Sequence, residues 1–294
     1  MKKLGRSLLG VFLLVTCSRI AAAQESPQGE MSIPKVLQII REYTKPGKSG
    51  MAHEKTESAY VQAMTRAKWP THYLGMTSLS GKERALFLTS YASFEAWEKD
   101  FAAMEKNTTL SAALDRILMA DGEVLDSVDE GVFIFRDDLS LRPVADLSHM
   151  RYMEISVYQV RPGYNAEWDE LVKLVKAAYE KGVPDAHWGT FEAVYGREGH
   201  TFAVFTGLKT LAEVDRAFQQ NPQFEAAMGD DGMKKLSELE RASVATSQHQ
   251  VFAVSPRMSY VPEEWIKADP DFWKPKAVAA PAAKPATEEK KAKP

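Results

Sequence analysis

The 294-residue sequence contains one cysteine, Cys17. A lone thiol forms no internal disulfide and cannot furnish a Cys-rich zinc site. No His-x-x-x-His pair, glycine-rich phosphate loop after a strand, or Gly-x-Ser-x-Gly elbow occurs. Metal-hydrolase, nucleotide-enzyme and serine-hydrolase readings therefore lack their chemistry. Long apolar runs are also missing, and Leu8 to Val15 is far shorter than the ~20 residues a spanning helix needs. There is no excess of positive charge: the chain carries 37 basic against 40 acidic side chains. The basic residues are concentrated at the two ends, which leaves 27 basic against 38 acidic side chains over residues 24–273, a net of −11. That body excludes a nucleic-acid groove and an anionic membrane surface as partners. What remains is an ordinary globular balance, 45% hydrophobic and 26% charged, with thirteen Phe, ten Tyr and six Trp to close its cores.

The two ends read as an address and a tail. Lys2 and Lys3 precede the short apolar run, and Ala21-Ala22-Ala23 offers small residues for cleavage before Gln24. Residues 1–23 thus read as a signal peptide, and the mature chain as exported, periplasmic or extracellular, and without cysteine. A lipoprotein anchored at Cys17 is the rival, but Thr16 is larger than a lipobox usually takes at that position. Residues 274–294 are Ala, Pro and Lys without apolar periodicity, the composition of a disordered tail.

The body between them is written twice. Lys45-Pro46-Gly47 recurs as Arg161-Pro162-Gly163, and Ser80-Gly81-Lys82-Glu83 as Tyr195-Gly196-Arg197-Glu198. Gly131 to Phe135 recurs as Gln250 to Val254, and the exit Leu139 to Pro143 as Met258 to Pro262. The shifts stay between 115 and 119 residues, as expected of an internal duplication. Each half reads β-α-β-β-α-β, with extra helices at Leu110–Met119 and Met233–Ala242. In the second half Trp168, Leu171, Val172, Val175, Ala178 and Tyr179 trace one helical face, which Gly182 and Pro184 end. A Thr210/Glu213 capping box opens the next helix, with Leu211, Val214 and Phe218 on its inner side. In the first half the inner faces are Ala52, Thr56, Ala59, Ala63 and Ala67, then Phe94, Trp97 and Phe101.

This duplicated unit resembles the dimeric α+β barrel superfamily. Its strand–Arg/Lys-Pro-Gly–helix opening is similar to that of NIPSNAP-type and antibiotic-biosynthesis-monooxygenase-type domains. The resemblance implies an α+β fold in which two tandem ferredoxin-like units, residues 34–143 and 150–262, pack sheet to sheet as an intrachain pseudo-dimeric barrel. The protein is then a monomer closed on itself, or a homo-oligomer through other surfaces. The superfamily includes cofactor-free monooxygenases, haem enzymes such as chlorite dismutases, and members without assigned activity, so fold alone does not choose a function.

Strand alternation, with the apolar set of each strand placed under its helices, predicts a polar and aromatic barrel lining of Glu42, Tyr73, Glu154, Tyr158, Trp188 and Glu192. Such a wall suits a small apolar or aromatic ligand. The alternative is a cofactor-independent monooxygenase, in which Trp188, Tyr158 or Tyr73 orients a phenolic or polycyclic substrate while a carboxylate takes its proton. A haem protein is a third reading, without an axial histidine on the helix expected to carry one. His72 and His187 repeat by the 115-residue shift but fall on the helix side as packing residues, while His53, His149, His200 and His249 read as helix-start, linker, turn and strand-edge residues. The pairs Asp137-Asp138 and Asp230-Asp231 read as solvated loop residues. On this reading there is no metal and no cofactor.

Overall fold

A computed structural model describes residues 33–48 and 50–274. The signal-like start and all but the first residue of the Lys-rich tail lie outside those residues. β1 (Val36–Thr44), α1 (Met51–Ala67), β2 (Tyr73–Ser78), β3 (Arg84–Tyr91), α2 (Phe94–Lys106), α3 (Thr108–Gly122) and β4 (Leu125–Phe135) come first. β5 (Tyr152–Val160), α4 (Asn165–Gly182), β6 (Gly189–Tyr195), β7 (Thr201–Leu208), α5 (Ala212–Ser243) and β8 (Val244–Val254) follow. Two short helices, α6 (Glu263–Ala268) and α7 (Pro270–Trp273), end the described chain.

The eight strands close into one antiparallel barrel in the order β1-β3-β2-β8-β5-β7-β6-β4, flanked by helices. Within the groups β4-β1-β3-β2 and β8-β5-β7-β6 the central pairing is long, as in the eight-residue registers of β1 with β3 and of β5 with β7. At the seams it is short, with three pairs joining β2 to β8 and four joining β4 to β6. Straps from opposite halves cover these seams. Tyr260 bridges Tyr73, and Leu141 bridges Trp188. Ser259 Oγ accepts from Gly75 N at 2.9 Å, and Ser140 Oγ accepts from Thr190 N at the same distance. Gly75 is required there, because a Cβ would stand 2.3 Å from the Met258 carbonyl oxygen.

The lumen is apolar, the reverse of the lining expected from alternation. Leu37, Ile39, Leu86, Met153, Ile155, Phe191 and Ala193 pack with Phe205 and Phe252 into one core drawn from all the strands. Apart from the exposed first halves of β4 and β8, both faces of this sheet are covered, one by opposite strands and one by helices. The closed lumen is the drier of the two and takes the apolar set, while the mixed set lies beneath the helices.

The helices depart from expectation in three places. α1 buries His53, Glu57, Ala63 and Met64, whereas Ala52 and Ala67 are exposed, so its inner face is turned by about one residue. Phe101, Leu211 and Phe218 lie exposed on α2 and at the start of α5 rather than inward. α5 runs through Pro222 and breaks at Gly229 (φ 71°), so its two segments correspond to the two helices read there. Glu213 Oε1 does accept from Thr210 N at 3.3 Å. Gly182 is the last residue of α4, and its lack of a side chain serves a close approach: a Cβ would lie 2.6 Å from Gln223 O.

Candidate functional site

Under the helices of the first half, four ionisable side chains meet. Glu42 rises from β1, His53 and Glu57 stand one turn apart on α1, and Asp121 ends the inner face of α3 begun by Leu110 and Leu114. Residues four apart on a helix share a face, which gives His53 and Glu57 the same direction. All four are buried, with exposures of 8% for Glu42, 3% for His53, 6% for Glu57 and 1% for Asp121.

One ligand atom from each lies within 4.8 Å of the others. His53 Nε2 is 2.8 Å from Glu42 Oε2, 3.7 Å from Asp121 Oδ1 and 3.9 Å from Glu57 Oε1. Thr56 Oγ1 donates to Asp121 Oδ1 at 2.5 Å, while Asp121 Oδ2 is buried without a partner. Among the described residues, no lysine or arginine pairs with any of the three carboxyl groups.

Burying three carboxyl groups together is expensive unless a proton or a cation compensates them. Burial, with Glu42 and Asp121 beside it, pushes the Glu57 carboxyl up to about 9. Burial raises Glu42 as well, against the lowering effect of its bond to His53. Tyr60 is pushed up to about 12 by burial and the neighbouring acids, and burial beside Glu57 also raises Tyr73, whose hydroxyl has no partner. Asp121 sits at the negative end of the α3 dipole, where a cation is favoured and a carboxylate is not.

This donor set fits a metal ion. Ligand atoms around one ion at ~2.0–2.2 Å lie about 3–4.4 Å apart, so the set has to contract by roughly half an ångström to an ångström to close on one ion. Three carboxylates with one imidazole suit Mn²⁺, Fe²⁺ or Zn²⁺, and the Thr56 bond holds Asp121 as an outer-shell partner does. The expectation of no metal and no cofactor is therefore overturned. His53-x-x-x-Glu57 was the available signal, hidden by taking His53 as a helix-start residue.

The expected lining residues divide between three places. Glu42 belongs to the cluster. Tyr73 packs edge-on against Tyr60 and Phe87 beneath the same helices. Glu154, Tyr158 and Trp188 share one cavity of about 450 Å³, which lies between β5–β7 and helices α4 and α5 rather than in the lumen. Tyr158 packs on Trp168 at 5.2 Å and Tyr179 on Trp188 at 5.4 Å, while Trp188 Nε1 donates to Leu139 O at 2.9 Å. Burial raises the Tyr158 hydroxyl. Glu192 pairs with Arg136 at 2.5 Å, outside that cavity.

His187 also lines the cavity, with both ring nitrogens 3.1 Å from backbone carbonyl oxygens, those of Asp185 and Gly207. His72 stacks on Tyr260 at 4.7 Å, and burial lowers it. The acidic pairs are exposed, as expected: Asp137-Asp138 form a 3-10 turn (Asp137–Leu139), where Asp138 pairs with Arg136, and Asp230-Asp231 directly follow the Gly229 break in α5. Among the described residues, no helix is long and apolar enough to cross a membrane.

No family model and no curated protein sequence matches the chain. Among solved structures, the chain is similar to a nominal monooxygenase from Fusobacterium nucleatum (12% identity, 76% of this chain and 94% of that one, TM-score 0.49). It is also similar to an anthrone oxidase-like protein (15% identity, 76% and 92%, TM-score 0.48). A third is a mutant chlorite dismutase from Candidatus Nitrospira defluvii (8% identity, 83% and 99%, TM-score 0.45). At these identities and scores the likeness concerns the path of the chain and carries nothing about chemistry.

Proposed function

We propose that this protein is a metal-binding α+β barrel in which Glu42, His53, Glu57 and Asp121 hold one divalent transition-metal ion. The observation that carries the reading is the burial of three carboxyl groups and an imidazole around one point, with no lysine or arginine among the described residues to balance them. The ion replaces the protons that otherwise neutralise the carboxyl groups, and it ties β1, α1 and α3 together. Calorimetric titration with Mn²⁺ and with Zn²⁺ tests this. One ion per chain is expected, lost in His53→Ala and in Asp121→Asn; undiminished binding in both variants would refute it.

A second reading rests on the other cavity. Its aromatic walls and the Glu154 carboxylate suit a small aromatic ligand, with Trp188 and Tyr158 as the walls that contact it. Binding of 1-naphthol, weakened in Trp188→Ala, is its test. The strand order within each group of four and the reciprocal Ser140 and Ser259 straps support treating residues 34–143 and 150–262 as tandem units of an intrachain pseudo-dimer. The strand–Arg/Lys-Pro-Gly–helix opening supports the likeness to NIPSNAP-type and antibiotic-biosynthesis-monooxygenase-type domains. Export through residues 1–23 completes the proposal, and the intact mass of the exported chain, starting at Gln24 rather than at an acylated Cys17, tests it.

A further inference from the structure

One end of the barrel lumen opens into a separate cavity of about 390 Å³. Its floor is the apolar core, with Ile39, Leu86, Ile155, Val157, Phe205 and Phe252 facing it. Its rim is polar and carries three guanidinium groups, Arg41 from β1, Arg84 from β3 and Arg197 from the β6–β7 turn.

The rim is short of negative charge. Asp129 pairs with Arg41 and lies 3.7 Å from Arg197, and Glu198, largely exposed, lies 3.7 Å from Arg197. Arg84, only 8% exposed, has no carboxylate partner among the described residues. It donates to the Lys82 carbonyl oxygen and to Gln250 Oε1 and lies over the rings of Phe252 (5.1 Å) and Tyr43 (5.6 Å). Lys82, paired with Asp126 at 3.5 Å, lies 4.4 Å from the Tyr43 ring centroid. Two guanidinium nitrogens, Arg84 Nε and Arg41 Nη2, are buried without a hydrogen-bond partner among the described residues. An unpaired buried donor on a charged group is costly, and an anion removes that cost with charge-assisted bonds.

From these features we infer that the lumen mouth binds an amphipathic carboxylate, its head against Arg41 and Arg84 and its apolar body on the lumen floor. Guanidinium donors suit the oxygens of a carboxylate, and the cavity volume of about 390 Å³ falls in the ~300–1,000 Å³ range of small-molecule sites. This site is distinct from the acidic cluster, which lies on the helix side of β1, and from the aromatic cavity beneath α4 and α5.

Calorimetric titration of the full chain with decanoate, decanol and decyl phosphate, in the presence of a chelator, tests the assignment. Decanoate should bind once per chain, and decanol at least about tenfold more weakly, because the charged hydrogen bonds are lost. Arg84→Gln and Arg41→Gln should each weaken decanoate by about tenfold or more and leave the weak decanol affinity unchanged. Arg197→Gln, on a partly exposed turn, should weaken decanoate less and serves if a buried variant fails to fold. Equal affinity for decanoate and decanol, decanoate binding that no arginine variant changes, or a clear preference for decyl phosphate would each overturn the carboxylate site.

Discussion

Removing the Glu57 carboxyl should change how the metal-free protein responds to pH. Glu57 is held at about 9 against an ordinary 4.5. Around pH 7 the folded protein keeps this proton and the unfolded chain does not. Folding then carries a penalty of about 3 kcal/mol at pH 7, from ~1.4 kcal/mol per pH unit over the interval above 4.5. The sign follows from proton binding: the folded state binds more protons, so its stability is complete below about 4.5 and declines as pH rises towards 9. Glu42, also raised, acts in the same direction. Asp138 and Asp269 are lowered by bonds to Arg136 and Arg151, and their opposite effect falls below about pH 4, outside this window. The lowered His72 acts oppositely up to about pH 6.5, so urea denaturation of chelator-treated protein should show stability falling most clearly between about pH 6.5 and pH 8, and Glu57→Gln should flatten much of that slope. With excess Mn²⁺ the slope of the wild-type protein should shrink or reverse, because metal binding displaces the proton and strengthens with pH. A wild-type slope that is flat without metal and unchanged by Glu57→Gln would refute the shared burial of these acids.

Trp188→Ala should weaken 1-naphthol binding by about 1–3 kcal/mol through loss of aromatic wall, read by fluorescence titration. Gly75→Ala drives a Cβ into the Met258 carbonyl and should cost about 2–3 kcal/mol in urea denaturation. Ser140→Ala and Ser259→Ala each leave one buried backbone N–H unpaired, and both should cost about 1–3 kcal/mol. Similar costs are expected from a duplicated strap, and a large cost at one serine alone would contradict it.

The strand and helix order was legible because repeated landmarks fix it twice, and Trp168, Leu171, Val172 and Ala178 are indeed the buried face of α4. The facing of the strands was not legible. Met153 and Ile155 alternate with Glu154 and Ser156 whichever way the sheet turns, and only closure of the barrel assigns the apolar set to the lumen. That inversion still left Glu154, Tyr158 and Trp188 on one side of the sheet, where they line the cavity beneath α4 and α5. The acidic cluster was missed for a local reason and a global one. Five alanine and threonine positions on α1 mimic an inner face one residue away from His53 and Glu57, and Asp121 reaches them only through the packing of α3 on α1. The arginine rim was invisible for the second reason alone, since Arg41, Arg84 and Arg197 are far apart in sequence and meet where the barrel closes.

Crystals of the protein grown with Mn²⁺, measured at the manganese absorption edge, give the most direct test of the central claim. The account predicts one strong anomalous peak among Glu42, His53, Glu57 and Asp121, about 2.0–2.3 Å from their ligand atoms. Density elsewhere, or four side chains arranged as described around no peak at saturating metal, would contradict it.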